Sequence, residues 1–370
     1  MKNILIIFDP ITQKNLVSNL ITQMRERGLE IDAFNSYRWE YVDTLKDIPF
    51  LYRRLRHFLF VRYVGTIIRR LFQVSLLLRV SSQYDFIDVH FFWRAFVPYI
   101  EKLKKPYKIS IWGSDFYREL PSVQEKKRKL YENARLIQVE TDDVKDDVAL
   151  YDSLLEEKIV VCNFGVDILD SISKSLSGEL VTNEEKKNRI VVTIGYNGSR
   201  GQQHKVLIEA INNLPTRYKQ NIFVYVPATY GLSIEYKKEL LTSLSELQVP
   251  YRLFESYLSE VELAQLRKES DIVLNAQITD TLNASLIQHL YAGGILIVGE
   301  WLPYGIYDRN NIYYIKSKKD EFSSHLKYCL DHFEECKHLA EANQNKILEF
   351  ATWDAVSDKQ YAIFQQFINS

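Results

Sequence analysis

The sequence predicts an α/β protein made of two doubly wound parallel-sheet domains in tandem. Short apolar runs alternate with amphipathic helical patterns, the alternation pauses at a polar stretch near the middle of the chain, and it then starts again. The length of 370 residues suits two domains of typical size better than a single hydrophobic core. We therefore expect two similar halves, each with its own sheet.

The first half follows a strand, helix, strand rhythm from its beginning. Residues 4–8 predict a strand, residues 14–27 an amphipathic helix that stops at Gly28, and residues 30–34 the next strand. Further strands are predicted at residues 86–90, 108–112, 136–139 and 158–162. Since strands joined by helical crossovers lie parallel, we expect one doubly wound sheet here.

The second half repeats this rhythm. Strands are predicted at residues 190–194, 222–226, 251–254, 272–274 and 295–298, and helices at residues 205–214, 236–247, 260–269 and 283–291. The polar residues 171–188 predict a linker between domains 1–170 and 189–345. In paired sheets of this kind, ligands bind in a cleft that faces the carboxyl ends of the strands.

Composition narrows the class of protein. Charged residues make up 26% and hydrophobic residues 46%, as in globular proteins, and a net charge of -1 favours neither nucleic acid nor an acidic partner. Cys162, Cys329 and Cys336 lack the spacing of a zinc site and fit a reducing cytoplasm. No uncharged apolar stretch reaches the roughly 18 to 20 residues of a bilayer span. A cytoplasmic protein is expected.

A polar segment that turns into a helix follows the predicted strand 272–274. In residues 280–294 (DTLNASLIQHLYAGG), the free N–H groups and dipole of the helix start favour a diphosphate. Thr281, Asn283 and Ser285 add side-chain hydrogen-bonding groups. The alternative interpretation is a polar N-cap on a core helix.

This segment resembles the donor-binding motif of family 4 glycosyltransferases, in which two glutamates separated by seven residues flank a phosphate-binding helix start. Asp280 and Gln288 stand at the two glutamate positions. The resemblance implies that Asp280 recognises sugar hydroxyls and that Gln288 recognises the ribose, which an amide can still bond with less strength than a carboxylate.

The same resemblance implies a GT-B fold, in which two Rossmann-like domains face a cleft. The second domain would hold a nucleotide-sugar donor and the first an acceptor. Residues 351–356 (ATWDAV) and the helix after them resemble the closing segment of these enzymes. Residues 346–370 are therefore expected to cross back onto the first domain.

A second set of short pieces extends over both halves. Residues 111–117 (IWGSDFY), 195–199 (GYNGS) leading to His204, 226–231 (VPATYG) and 286–288 (LIQ) are similar to the 4-acetamido-4,6-dideoxygalactose (Fuc4NAc) transferases. Those enzymes complete a lipid-linked repeat of enterobacterial common antigen. The similarity implies work on a bacterial surface glycan.

A glycine-rich loop leaves the strand 190–194 and enters a helix. Gly198 and the glycines on either side allow the backbone to approach a phosphate closely, although the spacing is not that of a dinucleotide fingerprint. The basic residues that could neutralise a departing nucleotide diphosphate are Arg200, His204 and Lys205. Gln202 and Gln203 stand where family 4 enzymes have a Lys-Gly pair. A solvated turn is the alternative.

Two residues of the first half are candidates for the acceptor side. Asp115 follows the strand 108–112, where a carboxylate could take the proton of an acceptor hydroxyl. His90, at the end of the strand 86–90, is the competing base. The alternatives are a turn or N-cap aspartate and a core histidine. No Asp-x-Asp motif stands at the end of a predicted strand to indicate a metal site, so no bound metal ion is expected.

Residues 50–84 form a basic and aromatic segment without Asp, Glu or Lys. Its seven arginines are Arg53, Arg54, Arg56, Arg62, Arg69, Arg70 and Arg79. Such a surface fits anionic headgroups and a lipid diphosphate, whereas no nucleic-acid motif accompanies the arginines. A solvated helical face is the alternative, and part of the segment must pack on the sheet.

These patterns and resemblances predict a GT-B glycosyltransferase that needs no metal or other cofactor and acts at the inner face of the membrane. It would move a sugar from a nucleotide diphosphate donor to a glycan or lipid-linked acceptor in bacterial surface polysaccharide or glycoconjugate synthesis. The alternative, favoured by the two replaced glutamates, is a catalytically inactive GT-B-like subunit that binds or stabilises a partner glycosyltransferase. The sugar, nucleotide, acceptor and stereochemistry are left open.

Overall fold

The computed structural model describes residues 2–9, 14–44, 46–50, 52–54, 66–177 and 189–369. The chain forms two compact units. The first contains Met1–Gly165 and Trp353–Ser370, and the second contains Val166–Thr352.

The first unit contains a seven-stranded sheet of order β3-β2-β1-β4-β5-β6-β7. Its strands are β1 Asn3–Phe8, β2 Glu30–Asn35, β3 Glu40–Val42, β4 Phe86–His90, β5 Tyr107–Ser110, β6 Leu136–Val139 and β7 Ile159–Val161. Every pair is parallel except β2 with the short edge strand β3. The strands β1, β2 and β4 to β7 match the predicted positions closely, whereas β3 was not expected because three residues carry no clear alternation.

Helices connect these strands and cover the sheet. The helices of the first unit are α1 Lys14–Glu26, α2 Thr66–Ser81, α3 Val97–Ile100, α4 Ser114–Tyr117, α5 Pro121–Asn133 and α6 Asp142–Tyr151, with a 3₁₀ turn at Ser153–Lys158. Helix α1 stops as the sequence predicts, because Gly28 adopts φ +86° and its N–H donates a hydrogen bond to the Arg25 carbonyl.

The basic segment is described only in part, and Arg56 and Arg62 lie outside the described residues. Helix α2 packs on the sheet through Leu76 and Leu77, which are fully buried, while Arg70 and Arg79 are exposed. No helix among the described residues is long and apolar enough to span a bilayer.

The second unit contains a six-stranded, fully parallel sheet of order β10-β9-β8-β11-β12-β13. Its strands are β8 Ile190–Ile194, β9 Ile222–Pro227, β10 Tyr251–Phe254, β11 Ile272–Asn275, β12 Ile295–Gly299 and β13 Ile315–Ser317. The first five match the predicted strands closely. The sixth, β13, is a three-residue edge strand that the sequence pattern did not indicate.

The helices of the second unit match the four predicted ones to within about two residues and add others. They are α7 Leu169–Ser177, α8 His204–Asn212, α9 Thr216–Lys219, α10 Ile234–Ser245, α11 Glu260–Glu269, α12 Ala284–Tyr291, α13 Gly305–Arg309, α14 Phe322–Asp331, α15 Phe333–Glu341 and α16 Asn343–Ala351, with a 3₁₀ turn at Arg200–Gln202. The last helix of the chain, α17 Trp353–Asn369, belongs to the first unit.

The borders of the units differ from the predicted ones. Residues 171–177 of the expected linker form most of α7, which buries Leu169 and Ile172 in the core of the second unit. The remaining linker residues, 178–188, lie outside the described residues. Residues 346–352 also belong to the second unit, because Ile347 and Ala351 pack in the same core.

Helix α17 completes the core of the first unit. Phe364 and Phe367 are fully buried beside β1 and α1, and the Phe367 ring meets the Phe86 ring edge-on at a centroid distance of 5.3 Å. Gly165 lets Trp353 approach closely, since a Cβ there would lie 2.5 Å from the Trp353 ring. An L side chain at residue 165 would therefore displace the start of α17.

Candidate functional site

The strand order of the second sheet reverses direction between β8 and β11, which are neighbours. Loops that leave two such strands at their carboxyl ends run to opposite faces of the sheet and leave a crevice between them. The glycine-rich loop follows β8, and the segment that resembles the donor-binding motif follows β11. The topology therefore brings the two predicted binding segments together.

Side chains of these two loops, together with Tyr304 from the loop after β12, form one hydrogen-bonded cluster around Asp280. The Tyr196 and Tyr304 hydroxyls donate to Asp280 Oδ2 at 3.0 and 2.8 Å, and the Thr281 N–H donates to Oδ1 at 3.0 Å. Gln277 Nε2 in turn donates to the Tyr196 oxygen at 3.1 Å. These hydrogen bonds hold Asp280 in one orientation, and burial together with Asp280 raises the pKa of Tyr196 and of Tyr304 well above the ordinary value.

The glycines of the loop after β8 allow close packing of neighbouring chain segments. Gly195 adopts φ +66°, which L side chains rarely adopt. A Cβ on Gly198 would lie 2.5 Å from the Leu232 Cβ, and the Gly198 N–H already donates to the Tyr230 carbonyl at 2.8 Å. On this side of Gly198, the chain itself therefore fills the space in which the sequence predicts a phosphate.

The start of α12 is capped by its own side chain. Asn283 Oδ1 accepts the N–H groups of Ser285 at 2.8 Å and of Leu286 at 3.3 Å. This is the N-cap alternative that the sequence left open, and it satisfies two of the backbone donors that a diphosphate would use. Thr281 is buried and Ser285 is half-buried beside this helix start.

The two exposed basic residues expected to neutralise phosphate have acidic partners. Arg200 makes an ion pair with Glu239 at 2.5 Å and lies over the Tyr236 ring at 5.2 Å. Lys205 is 73% exposed and lies 3.9 Å from Glu209 on the same helix. Both charges are partly compensated before any ligand arrives.

The structure changes the role expected of His204. Its side chain is fully buried, and Nδ1 lies 3.0 Å from the Tyr236 hydroxyl. Burial lowers the pKa of His204 to about 4, so the imidazole is neutral at pH 7. His204 therefore supplies no positive charge to neutralise a diphosphate, contrary to the sequence-based expectation.

Gln288 lies one helical turn below the capped start of α12, and its partner is a buried arginine. Arg267 Nε donates to Gln288 Oε1 at 3.1 Å, and Arg267 Nη1 lies 2.8 Å from His289 Nε2. Arg267 is 3% exposed and His289 is fully buried. Sequence reasoning missed Arg267 because it is one of several polar residues in an ordinary amphipathic helix, α11.

In the first unit, Asp115 lies in the single-turn helix α4 just after β5. The Trp112 N–H donates to Asp115 Oδ1 at 2.9 Å, and Oδ2 is buried without a hydrogen-bond partner among the described residues. Burial raises the pKa of Asp115 to about 6, and the nearby Lys127 ammonium limits that rise. A carboxylate with this pKa exchanges a proton readily near neutral pH.

His90, the last residue of β4, is part of a buried hydrogen-bond network. Its Nε2 lies 2.9 Å from Asp88 Oδ2, and Nδ1 has no hydrogen-bond partner among the described residues. The ring packs against the stacked rings of Trp112 and Phe164, at centroid distances of 5.8 and 5.6 Å. His90 is fully buried, as the alternative interpretation of a core histidine implies.

The first sheet reverses its strand order between β1 and β4, and sequence reasoning missed the residue at that point. Asp9 follows β1 and is 8% exposed, with Trp93 Nε1 donating to Oδ2 at 2.8 Å and the Ser36 hydroxyl donating to Oδ1 at 3.2 Å. Burial raises the pKa of Asp9, while these hydrogen bonds oppose the rise. The signal was an acidic residue directly after the first strand.

The match to a known protein family lies mainly in the second unit. Residues 206–360 match the protein family described as "Glycosyl transferase-like". No curated protein matches the sequence.

Solved structures resemble the whole chain. A glycosyltransferase from Rickettsia africae has a TM-score of 0.70 at 13% identity, with 100% of this chain and 99% of that chain covered. HepE of Anabaena in complex with UDP has a TM-score of 0.68 at 12% identity, covering 99% and 100%. Sucrose-phosphate synthase of Thermosynechococcus elongatus has a TM-score of 0.70 at 10% identity, covering 100% of both. Together with the two mainly parallel sheets, these similarities confirm the predicted GT-B fold.

Proposed function

We propose that this chain is a glycosyltransferase that moves a sugar from a nucleotide diphosphate donor to a glycan or lipid-linked acceptor. The observation that carries the proposal is the cluster at the reversal point of the second sheet, where loops after β8 and β11 meet through Tyr196, Gln277 and Asp280. A crevice at such a point is where open α/β sheets bind their ligands.

The comparisons support a nucleotide-sugar donor. The matched family covers most of the second unit, and HepE has been solved with UDP and with UDP-glucose. In this chain, we assign Gly198, Arg200, Lys205, Thr281, Asn283 and Ser285 to the surroundings of the diphosphate and Gln288 to the ribose. Asp280, fixed by two tyrosines, is assigned to the hydroxyls of the donor sugar.

For the acceptor side, the proposal assigns the proton acceptor to Asp115. Its Oδ2 is the unpaired oxygen, and its pKa of about 6 leaves the carboxylate mostly ionised at pH 7. His90 lies within hydrogen-bond distance of Asp88. We assign it the role of positioning the neighbouring aromatic side chains rather than of transferring a proton. In an inverting transfer, Asp115 would take the acceptor hydroxyl proton as that oxygen attacks the sugar carbon and the nucleoside diphosphate departs.

The proposed transfer uses no metal ion. The negative charge that develops on the leaving diphosphate must then be stabilised by protein donors and cations.

We further propose that the protein works at an anionic membrane surface in bacterial surface polysaccharide or glycoconjugate synthesis. Helix α2 exposes Arg70, Leu71 and Arg79, and Arg69 lies over the half-exposed Tyr37 ring at 5.2 Å. Each arginine near an anionic surface contributes about 1 kcal/mol. Sedimentation with anionic vesicles should fall with added salt and in the Arg70→Ala/Arg79→Ala variant, but not in Lys104→Ala. Equal sedimentation with neutral vesicles would contradict this part.

The central test is binding and turnover of nucleotide sugars by the full chain. Calorimetric titration with UDP, GDP and dTDP should identify one tight nucleotide, and the matching nucleotide sugar should be hydrolysed slowly or transferred. Asp280→Asn should alter affinity for the nucleotide sugar more than for the bare nucleotide, with the exposed Asp146→Asn as control. Binding without any turnover would favour the catalytically inactive subunit, and no binding of any nucleotide would contradict both readings.

A further inference from the structure

Arg267 is a buried cation whose hydrogen-bond partners are neutral. Its side chain is 3% exposed and contacts Gln288 Oε1 and His289 Nε2. Among the residues that the structure describes, no carboxylate forms an ion pair with it. A guanidinium removed from water without a counter-charge is destabilising, and burial accordingly lowers the pKa of Arg267 to about 10.

The two neutral partners are held in defined states by this contact. A guanidinium has only N–H donors, so the atom of Gln288 that faces it is the carbonyl oxygen, and the amide NH₂ group points elsewhere. His289 Nε2 must likewise accept, which leaves its proton on Nδ1, and burial together with Arg267 lowers the pKa of His289 well below its ordinary value. The cluster therefore carries the uncompensated charge of one arginine.

The position of this charge is close to the crevice of the second sheet. Tyr230 opposes part of the lowering of the Arg267 pKa, and the Tyr230 carbonyl accepts the Gly198 N–H. Gln288 stands on α12, the helix whose first turn follows the Asp280 cluster. The exposed basic residues of the glycine loop are already paired with Glu239 and Glu209.

We propose that Arg267 supplies the buried positive charge that attracts the diphosphate of the donor, and that it positions Gln288 with its amide NH₂ toward the ligand. This inference rests on the proposed function, since it concerns the same donor site. Gln288 then offers the ligand an N–H donor, whereas a glutamate would offer an acceptor. It therefore favours a ligand oxygen that accepts a hydrogen bond. Arg267 is a positioning residue, because it acts on the ligand through charge and through Gln288.

The first experiment compares nucleotide binding by Arg267→Met with that by Arg252→Met, which removes a cation from β10 outside this cluster. The probes are UDP and uridine, or the nucleotide and nucleoside that the wild-type protein prefers. Arg267→Met should weaken nucleoside diphosphate binding about 10- to 100-fold and nucleoside binding far less, because the lost interaction is with the diphosphate charge. Arg252→Met should bind both as wild type does.

A second variant tests the charge even if Arg267→Met fails to fold. Gln288→Glu puts a carboxylate beside the guanidinium, so the folded protein should melt at a higher temperature while nucleoside diphosphate affinity falls about tenfold. Arg267→Lys should retain more affinity for the diphosphate than Arg267→Met, since the charge remains.

The outcomes separate the two proposals. Wild-type protein that binds no nucleoside diphosphate would overturn the proposed function. Wild-type protein that binds one, with Arg267→Met and Gln288→Glu binding it equally well, would overturn only the inference on Arg267. Equal losses for the nucleotide and the nucleoside in Arg267→Met would show that the charge of Arg267 does not act on the diphosphate, and would also overturn it.

Discussion

Both units bury positively charged side chains beside a parallel sheet, but they compensate the charge differently. In the first unit, the Lys108 ammonium lies 2.9 Å from the Asp88 carboxylate, and Ser110 and Gln138 accept its other hydrogen bonds at 2.9 and 2.7 Å. In the second unit, the hydrogen-bond partners of Arg267 among the described residues are the neutral side chains of Gln288 and His289. A closed network of this kind serves folding, whereas a buried charge without a partner is available to an anionic ligand.

The Asp88 network shows what full compensation does to a titrating group. Burial would raise the pKa of Asp88, but His90 and Lys108 outweigh it and lower that pKa to about 2. Gln138 extends the network to Gln360 of α17, so a polar contact ties the last helix to the sheet.

The largest expected effect comes from opening the closed network. Lys108→Met leaves the Asp88 carboxylate buried without its ammonium, and should lower the stability of the first unit by about 3–5 kcal/mol. Urea unfolding followed by tryptophan fluorescence measures the loss. Lys104→Met, at an exposed position, should stay within about 0.5 kcal/mol of wild type, and an equally small effect at Lys108 would show that its charge is not needed to balance Asp88.

Arg267→Met sharpens the comparison from the other side. This substitution leaves no carboxylate without an ion-pair partner and removes the cost of burying a charge. It should therefore destabilise the second unit less than Lys108→Met destabilises the first unit. Thermal unfolding of both variants measures the difference. A greater loss at Arg267 would mean that the two clusters have the same structural role.

Chemistry should divide between the units as well. If Asp115 takes the acceptor proton, Asp115→Asn should reduce the transfer rate about 100-fold while nucleotide affinity, which the proposal assigns to the second unit, stays near wild type. Steady-state kinetics and calorimetry measure the two properties on the same preparation. Near-wild-type transfer by folded Asp115→Asn protein would eliminate Asp115 as an essential base.

The pH dependence of transfer gives a further expectation for Asp115. A base works only when deprotonated, and the Asp115 pKa is raised to about 6. The value of kcat/KM should therefore be level above pH 7 and fall about tenfold per pH unit well below pH 6. Asp115→Asn should lack this limb. A profile that stays level from pH 7 to pH 5 in wild-type protein would argue against this assignment.

The smallest expected effect concerns the start of α12. Asn283→Ala removes the cap from the Ser285 and Leu286 N–H groups and should cost about 1 kcal/mol of stability. Asn283→Asp keeps a capping oxygen but brings a negative charge, so it should restore stability while nucleoside diphosphate binding falls in both variants. Unchanged melting of Asn283→Ala would contradict the cap, and unchanged affinity in both would remove Asn283 from the diphosphate site.

Much of the fold was predictable because it is written in local patterns. The apolar runs of β4, β6, β8 and β10 match the predicted strands, and Gly28 and Gly293 end their helices with φ of +86° and +77°. Edge strands β3 and β13 were missed, because three residues pair through the backbone of a neighbour without an alternation of their own. The border between the two units at Val166 was also not predicted, because only the packing of α7 shows to which unit these residues belong.

Within the candidate site, the sequence by itself determined the two loops and the helix start, since glycines, small polar residues and helix periodicity act over a few neighbouring residues. The partners of the charges were decided only by the tertiary structure. Burial makes His204 neutral, Tyr196 and Tyr304 converge on Asp280 from distant loops, and Arg267 meets Gln288 from another helix. Solvation and pairing of a charge depend on which segments pack around it, and no local pattern of residues specifies that packing.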